Sequence, residues 1–173
     1  MKRLIMRTAL AAFCILLTTQ TVSAAQLLIP GGQVIGLQLQ DGRVCVDGFD
    51  PELGDARVPN FILQPIVENS LLHGLKNKGY SGVIRIATIQ KDKKHFEIQV
   101  SDTGSGFAEG KKEAVEQLLK NYAKRAPKLT GNSIGILNVQ KRIKLLCGKD
   151  CGLSYTENEW GGLTAHLLLS LEE

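Results

Sequence analysis

The stretch from Val58 to Gly74, VPNFILQPIVENSLLHG, decides how the rest of the chain is read. Asn60 can accept hydrogen bonds from the free N–H groups of a helix start. Ile62, Ile66 and Leu72 then recur on one helical face and are expected to be buried. Pro65 lacks an N–H, so it must fall in the first turn or bend the helix. Asn69, His73 and Lys76 stand at i, i+4 and i+7, which puts them on one polar face beside Glu68. An amide oxygen such as that of Asn69 is a hard ligand suited to Mg2+, which bridges substrate phosphates while keeping several waters. Taken alone, the same pattern also describes the solvated side of an amphipathic helix.

Downstream, the glycine-containing run 79–82 breaks the helix, and Val83 to Ile89 reads as a strand. His95 to Ser101 alternates, with Phe96, Ile98 and Val100 on one side and His95, Glu97 and Gln99 on the other. The loop Asp102-Thr103-Gly104-Ser105-Gly106-Phe107 follows directly. A carboxylate at a strand end can accept a hydrogen bond from an exocyclic amine such as adenine's. Its two glycines permit a tight backbone turn beside a ligand. A helix is expected over Lys111 to Lys124, with Ala114, Val115, Leu118 and Tyr122 on one side. Gly131-Asn132-Ser133-Ile134-Gly135 opens another helix, which runs to about Leu146 and buries Ile136, Val139, Ile143 and Leu146. Free N–H groups and the positive end of the helix dipole make such a start a natural phosphate seat. It has neither the ending of a P-loop nor the strand-then-GxGxxG order of a dinucleotide fold. Strands at Gly152 to Thr156 and Leu163 to Leu171, joined around Trp160-Gly161-Gly162, close the pattern. Upstream, Val34 to Val46 reads as one or two short strands broken at Asp41-Gly42. The order of helix, two strands, two helices and two strands predicts an α+β fold in two layers, with helices on one face of a sheet.

The 173 residues suffice for one domain and a short leader, and 43% apolar content supports a real core. The net charge of +4 is dispersed apart from short clusters such as Lys91 to Lys94, which argues against a nucleic-acid partner. Cys147 and Cys151 flank a turn with no second ligand pair beside them, so they are expected to be packed thiols rather than a metal site. Residues 1–25 have the pattern of an export signal. Lys2, Arg3 and Arg7 precede the apolar run Ala9 to Leu17, and Val22-Ser23-Ala24 offers a cleavage site. The run is short of the roughly 20 residues that span a bilayer, so cleavage is favoured over an anchor, with membrane association through the N-terminus as the alternative. Residues 26–49 form a linker or strand segment of uncertain origin.

Together, VPNFILQPIVENSLLHG, SDTGSGF, GNSIGILNVQKRIKLLCG and ENEWGGLTAHLLLSL resemble the N box, two glycine boxes and closing hairpin of GHKL ATP-binding domains. Their wording is similar to the LytS/YesM type of sensor histidine kinase. The resemblance covers about Asp50 to Glu173 and implies a Bergerat-type sandwich with a mixed sheet. It further implies that ATP and Mg2+ are bound, with Asn69 holding the metal and Glu68 beside it as a candidate catalytic base. Asp102 would bind the adenine amine, and Gly104 and Gly106 would shape the pocket. Gly131, Ser133 and Gly135 would lie against the phosphates, with His73 and Lys76 as further phosphate contacts. Residues 108–130 would form the lid. Ser133 replaces a glycine common in such second boxes, which makes backbone approach there less free.

The resemblance also implies a phosphoacceptor histidine domain and, beyond it, a response regulator as partners. No histidine precedes His73, and His73, His95 and His166 all stand in positions unsuited to accepting the phosphoryl group. The expected activity is therefore transfer to a histidine on another chain. Two alternatives stay open: a nucleotide-binding or interaction module without catalysis, and a stand-alone serine kinase of the anti-sigma-factor type. Localisation is in conflict, since such kinases keep this domain in the cytoplasm whereas the leader directs export. A truncated or rearranged kinase gene carrying a foreign leader is the expected resolution.

Overall fold

In the computed structural model, residues 3–5, 35–39, 42–46, 50–59, 61–123 and 132–171 are described. The strands are β1 (Arg3–Ile5), β2 (Ile35–Leu39), β3 (Gly42–Val46), β4 (Arg57–Pro59), β5 (Gly82–Gln90), β6 (His95–Asp102), β7 (Gly152–Glu157) and β8 (Leu163–Ser170). The α-helices are α1 (Leu63–Asn69), α2 (Lys111–Lys120) and α3 (Asn132–Cys147). Six strands form one sheet in the order β2-β3-β5-β6-β8-β7, and β1 pairs with β4 separately. Within the large sheet β3 runs parallel to β5 and every other pairing is antiparallel, so the sheet is mixed as expected. The 35–46 segment supplies two strands of this sheet, with Ile35 opposite Val46 and Gly42 opposite Gly82. Of the leader only β1 is described; the targeting reading otherwise lies outside the described residues, and so do Asn60, Gly131 and residues 124–130 of the expected lid. Among the described residues, no helix is long and apolar enough to cross a membrane.

Strand alternation builds the core. Ile84 and Ile86 of β5, Phe96, Ile98 and Val100 of β6, Leu153 of β7, and Ala165, Leu167 and Leu169 of β8 all face one way and are buried. Ile62, Leu63, Ile66, Val67 and Leu75 close over them from the α1 region, with Val139, Ile143 and Cys147 from α3. The opposite face is polar and internally bonded. Glu97 is only 7% exposed although it points away from the core. Gln99 Nε2 donates to its Oε1 at 2.6 Å, His166 Nδ1 lies 2.9 Å from the same oxygen, and Lys91 Nζ is 3.6 Å from Oε2. Ser101 and Thr164 share a hydroxyl hydrogen bond of 2.8 Å between β6 and β8. These cross-strand pairs stabilise a sheet whose second face carries none of the described helices.

Four expectations are corrected. First, α1 gives way to a π-helical segment at Ser70–Leu75 and a 3-10 turn at Lys76–Lys78. The wider turn breaks the 3.6-residue phase, turning Gly74 and Leu75 inward and leaving Leu72 46% exposed. Second, α2 stops at Lys120, and it buries Leu119 with support from Val115 rather than from Ala114, which is exposed. Third, Leu137 joins Val139 and Ile143 among the buried residues of α3, whereas Ile136 and Leu146 are half-buried. Fourth, α1 begins after Ile62, which makes no side-chain capping bond; Pro65 falls in the first turn, where a missing N–H costs nothing.

Candidate functional site

The site grows from the end of β6. Asp102 is 2% exposed, and its Oδ1 accepts hydrogen bonds from the Gly104 N–H at 2.9 Å and the Leu163 N–H at 3.3 Å. Its main-chain oxygen accepts from Asn158 Nδ2 at 2.9 Å. Among the described residues no donor reaches Oδ2. A carboxylate this buried needs such partners, and backbone amides provide them without bringing a second charge into the core.

Glycines let three segments meet there. A Cβ on Gly104 would lie 2.5 Å from the backbone of Gly74, a distance that no side-chain adjustment can relieve. The Ser105 N–H donates to the Gly74 carbonyl at 3.1 Å, which fixes the glycine loop to the π-helical segment. From the other side, the β7–β8 hairpin presents Gly162, whose Cβ would collide with the Asp102 backbone. Asn158 holds this hairpin closed, accepting from the Trp160 and Gly162 N–H groups at 3.1 and 3.0 Å. The loop is also anchored to the neighbouring strand. Thr103 accepts from the Val83 N–H through its hydroxyl at 3.0 Å, and Lys78 Nζ donates to the Thr103 carbonyl at 2.6 Å.

The positions singled out by sequence fall into distinct groups. Asn69 ends α1 with Nδ2 buried and unpartnered among the described residues, while its Oδ1 takes part in no hydrogen bond there. Glu68 is exposed and accepts from Gln64 Nε2 at 2.9 Å. His73 and Lys76 are exposed on the irregular continuation of α1, so the single polar face drawn through Asn69, His73 and Lys76 is broken by the π-helical segment. Gly104 and Gly106 belong to the glycine loop, and Gly106 has a φ of 70° that favours glycine. Gly135 lies in the first turns of α3, where a Cβ would sit 3.5 Å from Pro65 of α1. Ser133 falls within the same helix.

Sequence reasoning missed Gly74, Gly162, Asn158 and Tyr155. The first three were inside quoted motifs, but only the fold reveals what they touch. Tyr155 lies on the core-facing side of β7, pairs in register with Ala165, and packs edge-on to Phe107 at 6.2 Å between ring centroids. Burial, and then the charge of Asp102, push its phenol well above the ordinary value. The other histidines serve the scaffold: His95 Nδ1 lies 3.0 Å from both carboxylate oxygens of Asp92, and His166 bridges Glu97 and Thr156.

Residues 54–173 match the family described as histidine kinase-, DNA gyrase B-, and HSP90-like ATPase. The sensor histidine kinase YpdA of Escherichia coli is 36% identical over 92 residues, covering 53% of this chain and 14% of that protein. The sensor histidine kinase/phosphatase LytS of Staphylococcus aureus is 28% identical over 151 residues, covering 87% and 23%. Curated relatives are thus matched over a minor part of their length, between 14% and 38%. In structure, the ATP-binding domain of PrrB from Mycobacterium tuberculosis superposes with a TM-score of 0.60 at 13% identity, covering 99% of this chain and 98% of that one.

Proposed function

The chain belongs to the family of histidine kinase-, DNA gyrase B- and HSP90-like ATPases, and on that premise we propose that it binds Mg-ATP and supplies the γ-phosphoryl group to a histidine on another chain. The observation that carries this reading is Asp102. It is a buried carboxylate whose Oδ1 is committed to backbone amides, whose Oδ2 receives no protein donor among the described residues, and which lies where three segments converge. An exocyclic amine is the complementary partner for that oxygen. Gly104 and Gly106 give the loop its close approach and sharp turn beside the base.

Asn69 fits a metal-bridged triphosphate, because its amide nitrogen is buried without a partner among the described residues and its oxygen makes no hydrogen bond to them. It would hold Mg2+ through Oδ1, and the cation, when bound, neutralises phosphate charge. Glu68, exposed next to it, is assigned the role of base toward an incoming acceptor. Gly131, Ser133 and Gly135 are assigned to the phosphates at the start of α3, where free amides and the helix dipole favour an anion. His73 and Lys76, exposed nearby in sequence, are assigned to outer phosphate contacts. Phosphoryl transfer relies on positioning and charge stabilisation, so this set binds and orients while the acceptor side chain comes from a phosphoacceptor domain serving a response regulator. Under this reading residues 50–173 are the catalytic unit and 1–25 a targeting segment; the kinase reading places the unit in the cytoplasm, whereas the pattern of that segment directs export.

The direct test is a thermal melt of the full chain with and without Mg-ATP, beside Asp102→Asn. Ligand at about 100 times its Kd should stabilise the parent by about 2.7 kcal/mol, and much less in the variant. An unshifted parent at saturating ATP would overturn the reading. Incubation with an acceptor hairpin from a related kinase should then give acid-labile phosphate, whereas acid-stable phosphate on a partner would indicate a serine kinase.

A further inference from the structure

Two buried side-chain polar atoms have no hydrogen-bond partner among the described residues: the amide nitrogen of Asn69, already assigned above, and the hydroxyl of Tyr155. An orphaned hydroxyl in a packed region is costly unless something beyond the described residues satisfies it. Tyr155 stands on the core-facing side of β7, across from Ala165 of β8 and against the Phe107 ring that ends the glycine loop. Leu163, two residues before Ala165, gives its N–H to Asp102 Oδ1. The phenol is therefore held by the same strands and loop that hold the carboxylate. Burial and then the Asp102 charge keep it protonated, so its O–H is available to donate a hydrogen bond, while its oxygen can also accept one.

A free carboxylate oxygen and a phenolic donor form an acceptor–donor pair. Adenine presents the complement along one edge, with its exocyclic amine donating and N1 accepting. Guanine presents the reverse, with O6 accepting and N1–H donating. We propose that Tyr155 is a base-reading residue, donating its hydroxyl hydrogen bond to adenine N1 while Asp102 accepts from the exocyclic amine. This rests on the nucleotide-site reading and adds a specificity determinant to it. Selection of ATP over GTP by polarity falls to Asp102, which a guanine would face with an oxygen; the Tyr155 hydroxyl adds the contact to N1.

Calorimetric titration of the full chain tests this, with Mg-ATP and Mg-1-deaza-ATP as the probes, in the parent and in Tyr155→Phe. 1-Deaza-ATP has a C–H in place of N1 and keeps the amine. The parent should bind ATP about fivefold more tightly than 1-deaza-ATP, the worth of one net hydrogen bond. Tyr155→Phe should bind both equally, near the parent's affinity for 1-deaza-ATP. Equal weakening toward both probes would make Tyr155 a packing residue and overturn the proposal. So would a parent that binds ATP and 1-deaza-ATP alike, and this second criterion holds even if the variant fails to fold. A parent that binds neither probe would instead overturn the nucleotide site itself, and the Tyr155 contact with it.

Discussion

Gly135→Ala should separate the folding role of α3 from its binding role. Gly135 is helical and half-buried, and a Cβ placed there would sit 3.5 Å from the nearest neighbour, Cβ of Pro65 on α1. That is ordinary van der Waals contact, so the methyl group fits without moving either helix. Alanine in a helix interior is favoured over glycine by about 0.5–1 kcal/mol, because glycine loses more backbone entropy on folding. For a domain of this size, that gain corresponds to a rise in Tm of about 2–5 °C. The phosphate-seat reading adds a second, opposite effect. If backbone amides at the start of α3 lie against the phosphates, a methyl at Gly135 crowds that approach, and Mg-ATP affinity should fall at least about threefold while the apo protein melts higher. Paired melts with and without saturating Mg-ATP read both effects in one experiment. A lower apo Tm would refute the packing argument. A higher apo Tm with undiminished ATP stabilisation would refute the assignment of Gly135 to the phosphates.

Gly104→Ala should behave in the opposite way: its Cβ would meet the Gly74 backbone at 2.5 Å, so the loop and the π-helical segment must part. A loss of about 2–3 kcal/mol, in the range of overpacked sites, should appear in denaturant melts together with weakened ATP binding; an unchanged midpoint would contradict the close approach. On the far side of the sheet, burial would raise the Glu97 carboxyl, but hydrogen bonds from His166 and Gln99 and the charges of His166 and Lys91 outweigh it and hold it below 4.5. A carboxyl depressed on folding contributes stability that is present above its unfolded value and is lost as pH falls through the lower folded one. Glu97→Gln should therefore flatten the loss of Tm between about pH 5 and pH 3, and an unaltered acid limb would count against the network.

Most of the fold was legible because its strands alternate cleanly. Phe96, Ile98 and Val100 on one side and Glu97 and Gln99 on the other marked the central strand and its core face, and the strands expected over Val83 to Ile89 and Leu163 to Leu171 lie beside it. The irregular end of α1 was not legible. A pattern read at 3.6 residues per turn places Leu72 inside, and nothing local in SLLHGL announces a π-helical segment. The cause is tertiary, since Gly74 must reach the glycine loop and only a widened turn delivers its backbone there. The candidate site was legible where function is written as residue type in a fixed order, as in Asp102 and its glycines. It was opaque where function depends on what a residue touches. Asn158 and Gly162 look like plain hairpin residues until the hairpin is seen folded against Asp102.

That hairpin changes how the site is understood. A buried carboxylate with one oxygen unpaired among the described residues would ordinarily draw in a cation. Here the nearest elements supply only neutral donors: two backbone amides to Oδ1 and an asparagine amide to the main-chain oxygen. A lysine or arginine beside this carboxylate would occupy Oδ2, the acceptor that a ligand's amine could use. The same reasoning applies to Asn69 and Tyr155, whose Nδ2 and hydroxyl are buried and unpartnered among the described residues. Each such atom lowers the stability of the free protein by about 1–3 kcal/mol. The cluster is therefore better explained as a surface complementary to a ligand than as a core that packs for its own sake. The close glycine contacts follow from this, because a framework that must hold unsatisfied groups in place has to be rigid without contributing side chains of its own.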